Sequence, residues 1–394
     1  MTEIERFQDE NIVIEQPTSL DGQLLTDEQL DKKYEDEEVR IVTEQARYPL
    51  STIKDLFNSG EYHMHPDFQR RQVWSVEQKS RLIESFIMNI PIAPIFLYEV
   101  EYSQYEVMDG LQRITAISEF YDNKFSLTGL EVWNALNGKK YKDLPSNIRK
   151  GIDRRYLSSI ILLKETAKDP QKAEKMKQIV FERINTGGTQ LQAQESRNAY
   201  YKGPFLELCK RLSRNPYFCR IFDIPESDDN NNEELKTNEL YCRMKDVEAV
   251  IRFFAMRNLK DFNMPLQSFL DLFTEKANQL NDTVLSEYES LFNRTIKLAY
   301  DIFGVNAFGV WRKRGDEWFF FGKPNMFLYD AIMTVLSQKL HNSDALLANK
   351  NNIVNGIQEL YQDNEILREG RKGGKSNLEE RINIFENFFN QFLV

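Results

Sequence analysis

Apolar positions follow two different spacings along the chain, and the change between them divides the sequence. Within residues 46–205, short runs of β-prone residues alternate with helical three-and-four spacing, which predicts an α+β domain. Within 206–394 the helical spacing continues with one interruption, an aromatic segment at 308–321, and predicts an all-α domain. Residues 1–45 are acidic with short apolar runs, which predicts a loosely held, partly disordered arm that adds one or two edge strands to the body.

The sharpest change of pattern lies between a predicted strand and a predicted helix. Residues 105–108 alternate like a strand, and the turn dipeptide Asp109-Gly110 is followed at once by helical spacing. Asp109, Gln112 and Arg113 therefore fall at the first helical turn. Unpaired backbone N–H groups and the helix dipole favour an anion at such a place.

These three side chains allow two interpretations. A carboxylate, an amide and a guanidinium together suit a phosphate-bearing ligand, because an arginine can bind two phosphate oxygens at once. The alternative is an ordinary capped helix, with Asp109 accepting backbone N–H bonds and Arg113 facing solvent. The residues alone leave both interpretations open.

A second polar cluster lies upstream, where Gln69, Arg70 and Arg71 stand between Phe68 and Trp74. Guanidinium groups beside aromatic rings on an extended segment can hold phosphates and stack a base. Two surface arginines between two core aromatics would give the same pattern. Arg71 is the residue of this cluster that we associate with nucleic acid.

A third cluster follows a predicted helix, in the turn Asn-Thr-Gly-Gly-Thr at 185–189. Gly187 and Gly188 permit left-handed backbone and the close approach of a ligand. The next helix brings Glu195 and Arg197 into the neighbourhood of the turn. A plain connector between two helices is the alternative.

The most basic loop of the chain, at 369–376, ends in Gly-Lys-Ser like a phosphate-binding P-loop. Glu369 stands where the first glycine of that motif is required, and no strand precedes it, so we reject the P-loop interpretation. Arg371, Lys372 and Lys375 nevertheless form a candidate contact for a nucleic-acid backbone. A solvated loop is the alternative.

Charge and cysteine content restrict the class of protein. The formal net charge of −10 argues against a chain that coats nucleic acid through its overall field, so any such contact must be local. The three cysteines are widely spaced, which suggests neither a disulfide framework nor a zinc site. The acidic N-terminus resembles no signal peptide, and no window approaches the roughly 20 apolar residues of a membrane span. We expect a cytoplasmic protein without membrane contact.

Taken in order, the clusters carry a family resemblance over about 48–205. The motifs are Pro-Asp-Phe-Gln-Arg-Arg-Gln-Val-Trp-Ser at 66–75, Asp-Gly-Leu-Gln-Arg-Ile-Thr at 109–115, and Phe-Glu-Arg-Ile-Asn-Thr-Gly-Gly-Thr at 181–189 with Glu-Ser-Arg-Asn-Ala at 195–199. This order resembles the N-terminal domain family of the GmrSD-type restriction endonucleases, which looks related to the ParB and sulfiredoxin-like fold. Leu111 stands where the family signature, Asp-Gly-Gln-Gln-Arg, has its first Gln.

The resemblance implies a nucleotide-binding or NTP-hydrolysing component of bacterial anti-phage or restriction-type defence, and phosphate chemistry separately leads us to expect Mg²⁺ as its ion. It implies that Asp109 binds the metal or polarises water, that Gln112 orients this water, and that Arg70 and Arg113 hold phosphates. The nucleotide-binding set implied by the resemblance is Gln69, Arg70, Arg113, Asn185, Gly187, Gly188, Glu195 and Arg197. Leu111 leaves open whether hydrolysis accompanies binding.

The resemblance also raises the question of nuclease activity, which many relatives carry in a second domain of the His-Asn-His type. That chemistry needs at least two positioned histidines and a metal, and beyond His65 the sequence contains only His341. We therefore expect this chain to lack that domain and to act with a separate nuclease or other effector. Two alternatives remain: a ParB-like DNA-binding or nicking protein that uses the basic residues named above, and a catalytically silent adaptor.

Overall fold

The computed structural model describes residues 6–14, 26–35, 41–63, 74–163, 176–177, 179–181, 183–184, 193–227, 232–315, 317–368 and 374–393. The chain divides into two compact units. The sheet unit is Ser19–Gln192, and the helical unit combines Met1–Thr18 with Ala193–Val394. The predicted mixture of strands and helices is confirmed.

The sheet unit contains a five-stranded sheet in the order β1-β5-β3-β4-β2. Its strands are β1 (Thr43–Pro49), β2 (Tyr62–His63), β3 (Ile95–Glu101), β4 (Gln104–Asp109) and β5 (Tyr156–Leu162). Strands β3 and β4 form an antiparallel hairpin, as the short loop between two β-prone runs predicts. Strand β5 lies parallel to β3, and β2 lies parallel to β4. Its helices are α1 (Asp27–Glu35), α2 (Ile53–Phe57), α3 (Val76–Met88), α4 (Leu111–Tyr121) and α5 (Ser146–Asp153).

Local hydrogen bonds set the start of helix α3, and a left-handed residue sets its end. Ser75 and Gln78 form a capping box: the Ser75 hydroxyl accepts the Gln78 N–H at 3.3 Å, and the Gln78 amide oxygen accepts the Ser75 N–H at 2.9 Å. The helix ends at Asn89, whose φ of 58° is left-handed. Its apolar stripe includes Ile83 and Phe86, which are buried in the core of the sheet unit.

The two faces of the sheet are covered differently. Val107 of β4 belongs to the apolar core that also contains residues of α3 and α4. Its neighbour Glu106 projects to the opposite face, because successive strand residues alternate. There its carboxylate accepts a hydrogen bond from the buried Lys177 ammonium at 2.7 Å, and that ammonium lies 5.0 Å from the centre of the Tyr98 ring. This buried ion pair links helical residues near 177 to the middle of β4.

The glycines and the tryptophan-containing stretch of residues 125–144 predict short strands, and the structure differs from this prediction. This fully described segment contains two 3₁₀ turns and no strand. The backbone is held instead by the buried Glu84 carboxylate, which accepts N–H bonds from Glu131, Val132 and Trp133 at 3.3, 2.9 and 2.8 Å. A side chain on α3 thus satisfies backbone donors that a neighbouring strand would otherwise satisfy.

The helical unit is mostly α-helical and contains one two-stranded hairpin. Its helices are α6 (Ala193–Tyr200), α7 (Pro204–Leu212), α8 (Pro216–Phe222), α9 (Glu233–Thr237), α10 (Glu239–Cys242), α11 (Lys245–Ala255), α12 (Leu266–Ala277), α13 (Asp282–Phe303), α14 (Met326–Gln338), α15 (Ser343–Ala348), α16 (Lys350–Asp363), α17 (Glu365–Arg368) and α18 (Lys375–Asn390). The hairpin joins β6 (Val310–Arg314) to β7 (Glu317–Phe321) within the aromatic segment, so this unit is not wholly helical. None of the described helices combines the length and apolar character needed to cross a bilayer.

The first described residues of the chain pack inside the helical unit. Ile12 is fully buried in its apolar core. The buried Glu10 carboxylate accepts hydrogen bonds from the Arg257 guanidinium at 2.9 Å and from the Tyr288 hydroxyl at 2.8 Å. Burial, together with the Glu10 charge, raises the pKa of Tyr288 well above its ordinary value. Strand β1, which begins at Thr43, is by contrast an edge strand of the sheet.

Candidate functional site

The candidate site forms where β4 ends and α4 begins. Gly110 separates the two elements with a left-handed φ of 102°, and Ile114 N–H donates the first bond of the helix to the Gly110 carbonyl at 3.0 Å. A Cβ at position 110 would lie 2.3 Å from Cγ2 of Ile95, so only glycine fits this corner without displacement. Gly110 offers no side-chain cap, and the N–H groups of residues 111–113 have no backbone partner within the helix.

Asp109 and Arg113 form an ion pair across the first turn of α4. The Arg113 Nη2 atom donates to Asp109 Oδ2 at 2.6 Å and to the Pro94 carbonyl at 3.3 Å. The Asp109 side chain is 37% exposed and that of Arg113 is 15% exposed. The Nε atom of Arg113 is buried and has no hydrogen-bond acceptor among the described residues. The guanidinium is thus fixed in position with donor capacity unused.

Gln112 joins this corner to the segment that precedes α3. Its Oε1 atom accepts the Trp74 backbone N–H at 3.1 Å. An N–H donor at the oxygen fixes the orientation of the amide, which leaves the Gln112 NH₂ group as a donor. Trp74 directly follows the segment 64–73, and the residue before that segment, His63, pairs with Glu106 of β4. The residues that flank the segment are therefore both held: His63 is paired with β4, and Trp74 is hydrogen-bonded to α4.

Several predicted site residues lie outside the part of the chain that the structure describes. His63 and His65 are spaced to share one face of an extended segment, as in a two-ligand metal arrangement, and His65 also lies outside the described part. The site residues are Gln69, Arg70, Arg71, Asn185, Gly187, Gly188, Arg371 and Lys372. Glu195 lies in α6, and its side chain is also outside the described part. The structure therefore brings together Asp109, Gln112 and Arg113.

Arg197 has a structural role that the sequence did not predict. Its side chain is fully buried in the helical unit. The Nε atom donates to Asp271 at 2.8 Å, Nη2 donates to the Gln267 side chain at 3.1 Å, and Nη1 donates to Gln194 Oε1. All three guanidinium nitrogens have protein partners, and these bonds connect α6 to α12.

Lys375 is the one described residue of the predicted basic contact set. It begins α18, and its ammonium donates to the Lys260 carbonyl at 2.9 Å and to Asn263 Oδ1 at 3.2 Å. The residue is half-buried, and both of these hydrogen bonds are exposed to solvent. These two bonds use two of the three N–H donors of the Lys375 ammonium, and the third remains for a further contact.

Sequence reasoning missed two groups at the corner. The Pro94 carbonyl, which accepts from Arg113, is a backbone group with no sequence signature. The buried pair of Glu106 and Lys177 joins residues 71 positions apart, and no local pattern indicated it. The Trp74 N–H was detectable only indirectly, because Trp74 lies within the motif that contains Arg70.

The residues at this corner can be compared with what Mg²⁺ requires. Within the described ranges, no group of three or more His, Cys, Asp or Glu side chains could form a closed protein site. Mg²⁺ commonly takes one or two carboxylates, with substrate phosphates and water completing its octahedral shell. The half-exposed Asp109 carboxylate fits this second mode. Bound there with a nucleotide, the ion would neutralise phosphate charge.

Comparison with known families supports the resemblance seen in the motifs. Residues 53–202 match the family model described as GmrSD restriction endonuclease, N-terminal domain. The matched range extends from the start of α2 beyond α6 and contains the whole Asp109–Arg113 corner. No curated protein and no solved structure matches the chain. The resemblance is confirmed for this part of the chain, residues 53–202.

Proposed function

We propose that residues 53–202 bind a nucleoside triphosphate at the Asp109–Arg113 corner and hydrolyse it as part of a restriction-type defence system. The observation that carries this proposal is the group of Asp109, Gln112 and Arg113 at an uncapped helix start within the range that matches the family model. The relation to the ParB and sulfiredoxin-like fold is part of the same proposal.

The corner offers suitable donors for phosphate oxygens. The backbone N–H groups of residues 111–113 and the helix dipole favour an anion. Arg113 adds a positive charge, and the Pro94 carbonyl and the Asp109 carboxylate hold its Nη2 atom in place. A prepositioned guanidinium loses little side-chain freedom when a ligand binds, so more of the interaction energy appears as affinity.

Hydrolysis requires a water molecule aligned with the terminal phosphate. The Asp109 carboxylate is exposed enough to accept a proton or hydrogen bond from this water. The Gln112 NH₂ group, oriented by the Trp74 N–H, is the donor that holds the water in line. In this mechanism Arg113 stabilises the charge that develops on the phosphate.

Phosphate release from ATP, GTP, CTP and UTP in the presence of Mg²⁺ tests the proposal. We expect release with at least one nucleotide and a decrease of about 100-fold or more in Asp109→Ala. Asp31→Ala is the matched control, because Asp31 is an exposed aspartate of α1. Absence of both binding and release with all four nucleotides would refute the proposal. Equal release by Asp109→Ala and wild type would place hydrolysis elsewhere.

We assign DNA cleavage in this system to a separate effector. The matching family model is that of an N-terminal domain, so residues 53–202 correspond to one part of a restriction endonuclease. The experiment is incubation of the purified chain with foreign or phage DNA, Mg²⁺ and nucleotide. Efficient cleavage by the chain alone, lost in Asp109→Ala, would contradict this assignment.

A further inference from the structure

The β6–β7 hairpin has one face that is largely exposed to solvent. In the antiparallel register Arg312 is opposite Phe319, and Val310 is opposite Phe321. Because alternate residues of a strand lie on the same face, Arg314 shares this face with them. Phe319 is 39% exposed and Phe321 is 47% exposed. Both arginines are exposed as well. We call Arg312, Arg314, Phe319 and Phe321 the outer face.

The opposite face of the hairpin is anchored in the helical unit. Trp311 and Trp318 pack against its apolar core. The Phe320 ring lies against Gly309 so closely that a Cβ there would be 1.2 Å from a ring carbon. The Gly309 carbonyl accepts the buried Tyr361 hydroxyl at 3.0 Å. The hairpin is therefore held from one side, and the outer face is a fixed platform that points away from the core.

Charge distinguishes this platform from an ordinary apolar patch. Cζ of Arg312 lies 3.8 Å from the centre of the Phe321 ring, which is a close cation–π contact. Within the described residues, neither Arg312 nor Arg314 makes an ion pair, although Glu317 is opposite Arg314. In a chain with a net charge of −10, the segment 310–323 has four basic and two acidic residues. These are Arg312, Lys313, Arg314, Lys323, Asp316 and Glu317.

We propose that the outer face binds single-stranded nucleic acid. Exposed aromatic rings stack on bases of any sequence, and neighbouring guanidinium groups bind the phosphates. The ring centres of Phe319 and Phe321 lie 6.4 Å apart and their planes are inclined by 75°, whereas stacked nucleotides are about 3.4 Å apart. Two successive bases can reach both ring positions only when the strand is unstacked. Base faces are accessible in single strands and not inside a duplex.

The first test uses fluorescence anisotropy to measure how tightly a labelled strand of 20 thymidine nucleotides binds to the full chain. Loss of a stacking ring in Phe319→Ala should weaken binding about 5- to 150-fold. Phe319→Trp should retain binding, and Phe319→Leu, which preserves apolar bulk, should behave like the alanine variant. Tyr102→Ala is the control, because Tyr102 is a 91% exposed aromatic at the tip of the other hairpin.

The second test distinguishes binding at the outer face from attraction by positive charge anywhere on the hairpin. Arg312 and Lys313 are both exposed, and they lie on opposite faces of β6. We expect Arg312→Ala to lower affinity and to reduce the slope of log K against log salt by about 0.7. Lys313→Ala removes one positive charge from the same strand, and its slope should stay at the wild-type value.

Three results would overturn the proposal. These are no binding of the thymidine strand at low salt, equal losses in Phe319→Ala and Tyr102→Ala, or a preference for duplex over single strands. Binding of phosphatidylserine vesicles without any oligonucleotide binding would instead assign the outer face to a membrane surface. Asp109→Ala should leave oligonucleotide affinity unchanged, so this proposal and the proposed nucleotide hydrolysis can fail independently.

Discussion

Arg113 and Arg197 belong to motifs of the same family resemblance, and the structure gives them opposite environments. Arg197 is fully buried, and each of its guanidinium nitrogens donates to a protein oxygen. Arg113 is partly exposed, one nitrogen serves two acceptors, and its buried Nε has none among the described residues.

The difference separates a guanidinium whose nitrogens are all bonded to the protein from one that keeps donor capacity for a ligand, which is the role we propose for Arg113. A guanidinium has five N–H donors in a fixed plane. When protein oxygens occupy every nitrogen, the arginine stabilises packing. When protein oxygens hold one edge of the guanidinium and its other N–H donors are unsatisfied, a phosphate can bind those donors with little rearrangement of the side chain. This contrast predicts separable effects of mutations on stability and on nucleotide affinity.

The largest expected effect is the loss of stability in Arg197→Ala. The change leaves the Asp271 carboxylate and the Gln194 and Gln267 amides without their buried partner. Breaking such a buried pair typically costs about 3–5 kcal/mol, and the partial exposure of Asp271 favours the lower value. Urea unfolding should show this loss. A decrease below about 1 kcal/mol would mean that Arg197 does not stabilise the helical unit.

A smaller loss of stability is expected in Gly110→Ala. A non-glycine residue in the left-handed region costs about 1–2 kcal/mol, and here the new methyl group also meets the Ile95 side chain. Gly138→Ala is the matched control, because Gly138 has a φ of 84° and no atom within 4 Å of an added Cβ. In urea unfolding, the free energy of unfolding of Gly110→Ala should be lower than that of Gly138→Ala. Equal stability of the two variants would show that the Ile95 contact relaxes without cost.

Arg113→Ala should reduce nucleotide affinity and leave the fold largely intact. One charge-assisted phosphate contact is worth about 1.5–3 kcal/mol, or roughly 10- to 100-fold in affinity. The ion pair with the half-exposed Asp109 contributes about 1 kcal/mol or less to stability. Calorimetric titration of each nucleotide measures the affinity, with the exposed Arg47→Ala as control. Unchanged affinity for every nucleotide would remove Arg113 from the site.

The smallest change is expected in Gln112→Ala. Loss of one neutral hydrogen bond is worth about 0.5–1.5 kcal/mol, or roughly 2- to 12-fold. Because the proposed role of the amide is to orient water, the turnover rate should decrease more than nucleotide affinity. Steady-state phosphate release and calorimetry separate the two quantities. A larger decrease in affinity than in turnover would assign Gln112 to ground-state nucleotide binding.

Local patterns predicted the corner well because its causes are local. The alternation at 105–108, the Asp-Gly turn and the helical spacing beyond it lie within one short stretch. The environment of Arg197 could not be predicted in this way. Its partners Gln267 and Asp271 are 70 and 74 positions away, and only tertiary packing brings them to it.

The same distinction explains the error at 125–144 and the hairpin that the sequence left unassigned. The backbone of 131–133 is held by a carboxylate 47 to 49 positions earlier, so strand pairing was unnecessary. At 310–321 the basic strand β6 showed no apolar alternation, and the hairpin became recognisable only from the pairing of β6 with the aromatic β7.

The hydrogen bond between Glu10 and Tyr288 has a consequence for synthesis of the chain. The two residues are 278 positions apart, so roughly 15 to 55 s of translation separate them at ~5–20 residues per second. During that interval the apolar Ile12 and the Glu10 carboxylate emerge without the core that later encloses them. The sheet unit, encoded between the two parts of the helical unit, can therefore complete its folding first.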